Sequence, residues 1–155
     1  MNLYTPKITI QLWDSAKYRA FEIRTSVFIQ EQNVPENMEF DVYDESAWHA
    51  LAHLGNKCIG TARLNIANQS GKIGRMAVLS QYRRVGIGRH LIGSLIKFGQ
   101  SHGINKFTLN AQVSAIQFYE KYGFEVNGNV FQDAGIAHQK MILNFKTNLK
   151  HNEFL

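Results

Sequence analysis

The residues best suited to chemistry form the segment Tyr82-Arg83-Arg84-Val85-Gly86-Ile87-Gly88-Arg89, which joins a β-rich run to a run with helical apolar spacing. Glycine has no Cβ and lets a ligand approach the backbone, and the first N–H groups of a helix have no partner within it. Such a helix start binds anions, and arginine adds forked hydrogen bonds to phosphate oxygens. The segment therefore predicts a phosphate site, although the same glycines would also permit close packing of a helix on a strand.

Two other nucleotide-binding motifs do not fit these glycines. A dinucleotide-binding G-x-G-x-x-G sequence needs a third glycine where this chain has Leu91, and no acidic residue follows at the distance that would hold a ribose. A P-loop needs Gly-Lys followed by Ser or Thr, which is absent from this sequence. The pyrophosphate of a coenzyme is the remaining candidate for the site.

Two further groups of residues are candidates for binding an acceptor substrate. An acidic stretch that includes Glu39 and Asp41 precedes a predicted hairpin. Such stretches are commonly solvated loops, but carboxylates beside an amine would attract its cationic form and relay its proton. His138 is a candidate for acceptor binding or for a base, because histidine titrates near neutral pH.

No metal centre is expected. His49 and His53 lie four residues apart, but a zinc-protease motif needs a glutamate directly after its first histidine, and this chain has Ala50 there. Cys58 lies among apolar residues of a predicted strand and is expected to fill the core. His49, His53 and Cys58 are therefore expected to have structural roles and no catalytic ones.

Composition limits the class of protein. The chain has 155 residues, a net charge of +5 and one cysteine, so it predicts one domain at 1–146 with a polar tail at 147–155 and no internal disulfide. The start of the chain has no leader-like pattern and no apolar run is long enough to span a membrane, which favours a cytoplasmic protein. Basic residues are scattered and no basic face with exposed aromatics is evident, so nucleic acid is not an expected partner.

Apolar periodicity predicts an α/β or α+β fold. A strand over Lys7 to Leu12 precedes a helix that Asp14 caps and that extends to about Gln30, and an acidic stretch with Pro35 follows as a loop or broken helix. The other predicted elements are strands at Ala47 to Leu54, Cys58 to Ile66 and Lys72 to Val78, a central helix between Val85 and Gly103, a strand at Phe107 to Ala111, a helix at Ser114 to Tyr122, and strands at Phe124 to Phe131 and His138 to Phe145. This order predicts a mixed sheet flanked by helices.

Two motifs in order resemble those of the GNAT superfamily of N-acetyltransferases. Residues 78–88 resemble its acetyl-CoA motif, with Arg83, Gly86 and Gly88 at the motif positions, and residues 115–124 resemble its second motif, Phe-Tyr-Glu with a closing Gly-Phe. The N-terminal half is similar to the ElaA-like branch, in Arg24-Thr25-Ser26-Val27-Phe28 and Glu31-Gln32-Asn33-Val34-Pro35 among other segments. The resemblance covers nearly the whole chain, with departures such as Gln112 where many members have Asn.

The resemblance implies a mostly antiparallel sheet that splays between the strand ending near Val78 and the strand at Phe107 to Ala111. The pantetheine arm of acetyl-CoA would lie in the gap, paired with the backbone of Met76, Ala77 and Val78, while Arg83 to Arg89 hold the pyrophosphate. Tyr119 would be the general acid for the departing thiolate. The implied function is acetyl transfer to a primary amine, with a non-catalytic acyl-CoA sensor as the alternative. A homodimer is compatible with the resemblance, although no sequence feature specifies an interface.

Overall fold

The structure is a computed structural model that describes residues 5–145. The tail predicted at 147–155 lies outside the described residues. Among residues 5–145, no helix combines the length and the apolar composition needed to cross a membrane.

The N-terminal part places helices on one face of the sheet. Strand β1 (Lys7–Leu12) runs directly into helix α1 (Trp13–Arg24), which continues as a π-helix over Thr25–Glu31. The predicted cap is therefore wrong: Leu12 is the capping residue, and Asp14 lies within the first turn. Asp14 still complements the positive end of the helix dipole there. The acidic stretch forms the short helix α2 (Glu36–Glu39) and a 3₁₀ turn at Val42–Asp44.

Eight strands form one sheet in the order β1-β2-β3-β4-β5-β8-β6, and β7 also pairs with β8. The strands are β2 (Trp48–Leu54), β3 (Lys57–Ala67), β4 (Ser70–Val78), β5 (Lys106–Gln112), β6 (Glu125–Val126), β7 (Phe131–Asp133) and β8 (Ile136–Asn144). All described pairings are antiparallel except that of β4 with β5. The mixed, mostly antiparallel sheet of the sequence prediction is thus confirmed.

One predicted strand is wrong. The run from Phe124 to Phe131 is not continuous, because only Glu125–Val126 pairs with β8 before the chain turns, and Phe131 starts β7. Gly128 has a φ of 105°, a left-handed conformation that glycine adopts readily and that interrupts an extended run.

Helix α3 (Ile87–Ser101) packs on the other face of the sheet. Its apolar residues recur at helical spacing and bury Ile87, Leu91 and Leu95 in the main core. Helix α4 (Ile116–Glu120) follows β5 through a 3₁₀ turn and is shorter than the predicted helix at Ser114 to Tyr122.

The sheet opens between β4 and β5. These strands pair from Ser70 with Lys106 to Ile73 with Leu109, and no further pair forms although both strands continue. A bulge in β4 causes the divergence, since three steps from Gly74 to Ala77 oppose two steps in β3, and Arg75 takes a φ of 51°. The predicted splay is therefore present, and it leaves a gap between the ends of the two strands.

Candidate active site

A cavity of about 740 Å³ occupies the gap between β4 and β5. It brings together nearly all the residues that the sequence nominated. The lining includes Met76, Ala77, Val78, Arg83, Arg84, Gly86, Ile87, Gly88, Arg89, Tyr119, Glu39, Asp41 and His138. Val85 is the exception, because its side chain packs against the main core and does not line the cavity.

The start of α3 has the character of an anion site. Gly86 occupies the N-cap position with a φ of 94°, and no side chain caps the first turn. A Cβ on Gly86 would lie 3.4 Å from Nη2 of Arg89, so this guanidinium folds over the loop. The first turn contains no acidic residue, and a cation there opposes the positive end of the helix dipole. A bound anion would accept hydrogen bonds from the uncapped N–H groups and would balance the charge of the cationic side chains.

The side chain of Arg83 is held by other residues of the chain. It forms two bonds to the Glu31 carboxylate, at 2.6 and 2.7 Å, and its Nε donates to the Val78 carbonyl at 2.8 Å. The hydrogen bond from Arg83 holds the pKa of Glu31 below its ordinary value. These bonds use three of the five guanidinium N–H groups, so one N–H on each Nη atom remains for a phosphate while the ion pair with Glu31 is kept.

The end of the π-helix crosses the gap in the sheet. Glu31 contacts Arg83 beyond the end of β4, and the next residue, Gln32, accepts a hydrogen bond of 2.9 Å from Nε2 of Gln112 at the end of β5. These two contacts tie the segment to both diverging strands. The segment therefore divides the mouth of the cavity into a side toward α3 and a side toward α2.

A buried ion-pair network forms the side of the cavity toward α2. Arg24 is 1% exposed; its Nε donates to Oε1 of Glu39 at 2.9 Å, and its Nη1 to Oδ1 of Asp44 at 2.8 Å. Arg63 pairs with Asp44 at 3.0 Å and with Asp41 at 2.8 Å. Arg75, whose backbone is in the left-handed region, completes the network with ion pairs to Glu39 at 3.2 Å and to Asp41 at 3.0 Å.

Three arginines in this network oppose three carboxylates. Burial raises the pKa of Glu39 against the opposing charges of Arg75 and Arg24. Burial also raises the pKa of Asp44, but hydrogen bonds from Arg24 and Arg63 outweigh it and hold the net value below the ordinary one. Glu39 and Asp41 therefore lie at the cavity as predicted, but as members of a paired set rather than as free negative charges.

Tyr119 lies at the junction of the cavity and the main core. Its ring packs edge-on against Phe118 and Phe124, and burial raises its pKa to about 12. None of the side-chain hydrogen bonds found among residues 5–145 involves its hydroxyl. A phenol with this pKa is protonated throughout the range of enzyme assays and is available as a hydrogen-bond donor.

Sequence reasoning missed the residues that brace this site. Arg24, Arg63 and Arg75 were not singled out, nor was the pair formed by Gln32 and Gln112. A signal existed for the network, because an arginine within a helical apolar pattern and three nearby carboxylates need partners if buried. No comparable signal exists for the two glutamines, which are 80 residues apart.

The chain matches the family model described as the acetyltransferase (GNAT) domain over residues 13–145. The chain belongs to the GNAT acetyltransferase family. YjcF of Bacillus subtilis, an uncharacterized N-acetyltransferase, is 37% identical over 124 residues, which are 79% of this chain and 89% of that protein. The chain is thus a GNAT-family N-acetyltransferase.

The resemblance to ElaA is also confirmed. The ElaA protein of Escherichia coli is 26% identical over 129 residues, 80% of this chain and 84% of that protein. The crystal structure of Escherichia coli ElaA superimposes with a TM-score of 0.82, covering 90% of this chain and all of that chain at 23% identity. An acyl-CoA N-acyltransferase from Pseudomonas aeruginosa has the same fold, with a TM-score of 0.80, 23% identity and coverage of 90% and 99%.

Proposed function

We propose that this GNAT protein transfers the acetyl group of acetyl-CoA to a primary amine by direct attack of the amine within a ternary complex. The observation that carries the proposal is one continuous cavity with an uncapped, cationic helix start at one end and Tyr119 and His138 also on its wall. Acetyl-CoA supplies an activated thioester. The protein's part is to position the two substrates and to handle charge and protons.

The coenzyme fits the residues on the β4 side of the gap. The N–H groups at the start of α3, from Val85 to Arg89, would bind the pyrophosphate, with Arg84 and Arg89 supplying charge. Beyond Ile73, β4 has no β5 partner, so the backbone of Met76 and Ala77 can pair with the pantetheine amides as an added strand does. Arg83 would hold the loop through Val78 and Glu31, and its two remaining Nη N–H groups would contribute to the phosphate site.

The amine would enter from the side toward α2. Asp41 is the most exposed of the three network carboxylates, with 28% of its side chain accessible, and Glu39 lies behind it. We assign these two residues to acceptor binding. Because Arg63 and Arg75 balance their charge, Asp41 would orient an amine by hydrogen bonding rather than concentrate polycations.

Tyr119 would act as the hydrogen-bond donor and acid for the departing thiolate. Its pKa of about 12 lies above the value of about 8.5 for a free thiol, so outright donation to a solvated thiolate would be unfavourable. A thiolate that leaves inside the same cavity is also desolvated, which raises its proton affinity toward that of the phenol. The hydroxyl is therefore suited to stabilise the leaving sulfur as the C–S bond breaks.

Acetylation of an amine panel tests the proposal. Purified protein is incubated with acetyl-CoA and single amines, and both the free thiol and the acetylated product are measured by absorbance and mass spectrometry. Stoichiometric product and thiol are expected for at least one amine class. Binding of acetyl-CoA without acetylation of any amine would instead favour the acyl-CoA sensor.

A pair of glycine variants tests the coenzyme site separately. A Cβ at Gly88 would lie 3.3 Å from Cζ of Phe118, and both residues line the cavity. The side chain of Gly88→Val should therefore occupy the space between Gly88 and Phe118 and abolish the rise in melting temperature caused by CoA. Gly93→Val adds the same side chain to the same helix, where the added Cβ meets no atom within 4 Å apart from its chain neighbours and the helix's own backbone. A folded Gly88→Val protein that keeps the CoA response of the Gly93→Val control would contradict this placement.

A further inference from the structure

We infer that His138 is the general base that takes the proton from the attacking amine, through its Nε2 atom. This inference rests on the proposed acetyl transfer and adds to it the group that completes the proton balance. His138 lies on β8 and lines the cavity that also contains Tyr119.

A backbone hydrogen bond fixes the protonation pattern of the His138 ring. Its Nδ1 lies 2.7 Å from the carbonyl oxygen of Ile136. A carbonyl oxygen only accepts, so Nδ1 must carry the proton, and in the neutral ring the lone pair is then on Nε2. None of the hydrogen bonds found within the described part of the chain uses Nε2, so this atom is left for a substrate.

Two neighbouring strands hold the ring in place. His138 pairs with Phe131 of β7, whose ring stacks on the imidazole with centroids 5.9 Å apart and planes 23° from parallel. It also pairs with Gln112 of β5, the residue whose amide crosses to Gln32 above the gap. Because directly paired residues share a face of the sheet, His138 lies on the same face as Gln112, one strand beyond the gap between β4 and β5, and both residues line the cavity.

This position suits proton transfer at the acetyl group. Gln112 ends β5 and pairs with His138, and the chain then turns into α4, which carries Tyr119, so β5 connects the strand position of the base to the helix that carries the acid. In the reaction the amine nitrogen bonds to the thioester carbon, the carbon–sulfur bond breaks, and the surplus N–H proton moves to Nε2. The imidazolium then returns that proton to water, while the thiolate receives its proton from Tyr119 or solvent.

Other titratable groups share the cavity and must be separated from His138. The acidic groups are Asp133 on β7 and Glu39 and Asp41 at and after α2, and the tyrosines are Tyr43, Tyr82 and Tyr119. The cationic groups are Arg63 on β3, Lys72 and Arg75 on β4, and Arg83, Arg84 and Arg89 at or just before the start of α3. Glu39 and Asp41 are paired with arginines, and burial raises the pKa of Tyr119 to about 12. Asp133 is the acid on the strand next to His138, and Asp133→Asn is therefore the matched control.

Substitution of His138 by Asn separates a base from a structural residue. The Asn amide nitrogen can still donate to the Ile136 carbonyl, but no lone pair remains at the position of Nε2. We expect kcat/KM for the amine to fall by about 10²- to 10⁴-fold and the acid limb of the pH–rate profile to disappear. Asp133→Asn should keep that limb, and both variants should keep the wild-type rise in melting temperature with CoA.

Two results would overturn the assignment. The first is a His138→Asn enzyme with wild-type kcat/KM and pH profile, because the hydrogen bond to Ile136 would then be the whole role of the residue. The second, which needs no turnover, is a ¹⁵N spectrum of labelled histidine that places the proton of neutral His138 on Nε2. A wild-type protein that binds acetyl-CoA but acetylates no amine would instead remove the proposed function, and the base with it.

Discussion

Replacement of Arg24 by methionine tests the buried network on the side of the cavity toward α2. The change removes the bonds of Arg24 to Glu39 and Asp44 but keeps an unbranched apolar chain in the same space. Breaking a buried ion pair by removing one partner costs about 3–5 kcal/mol. We expect about 3 kcal/mol, because Asp44 keeps Arg63 at 3.0 Å and Glu39 keeps Arg75 at 3.2 Å.

Urea unfolding at neutral pH, followed by circular dichroism, measures this loss of stability. For a chain of this length, about 3 kcal/mol corresponds to a fall in melting temperature of about 6–12 °C. Arg19→Met is the matched control, since Arg19 is exposed on the same helix and should change stability by no more than about 0.5 kcal/mol. If the unfolding free energy of Arg24→Met lies within about 1 kcal/mol of the wild-type value, the ion pairs of Arg24 are not a main source of stability on this side of the cavity.

The remaining predictions concern catalysis and pH. Tyr119→Phe should lower kcat by about 10²-fold, with CoA affinity and melting temperature little changed. Tyr122 does not line the cavity, so Tyr122→Phe should leave kcat near the wild-type value. Equal kcat values for the two variants would exclude Tyr119 as the acid. Asp41→Asn should raise the KM for the amine while CoA affinity, measured by calorimetry, stays nearly constant, and an equal loss of both would place this carboxylate outside the acceptor site. The folded-state pKa of Asp44 lies below its ordinary value, so its stabilisation is complete above about pH 4 and is lost as the pH falls through the lower folded value. Asp44→Asn should therefore flatten the dependence of unfolding free energy on pH in this acid range, and an unchanged slope would contradict the pairing.

The sequence predicted the sheet and the central helix well because their signals are local. β1 was predicted with its observed bounds, and α3 follows from apolar residues at helical spacing after a glycine-bearing turn. The proposed phosphate segment also has a local signal, since Gly86 and Gly88 lie within a few residues of Arg83, Arg84 and Arg89. Where tertiary pairing decides, as in the run from Phe124 to Phe131, the local pattern gave a strand that the chain does not form.

The bracing of the site could not be predicted, because it joins residues that are far apart in sequence. Arg83 was assigned to phosphate from its motif position, but no pattern indicates that Glu31, 52 residues earlier, holds its guanidinium. The acidic stretch posed a similar problem: its charge is visible in the sequence, but the arginines that neutralise it come from α1, β3 and β4. Composition gives the number of charges, and only the fold shows which of them are paired.

Chemical-shift mapping on ¹⁵N-labelled protein tests whether acetyl-CoA binds in the gap between β4 and β5. Amide ¹H–¹⁵N shifts are recorded while acetyl-CoA is added to the 155-residue chain. The largest shifts are expected at the start of α3, from Val85 to Arg89, and along Met76 to Val78, on the unpaired side of β4. Shifts confined to another face of the sheet, or no shifts at millimolar acetyl-CoA, would contradict this location of the coenzyme site.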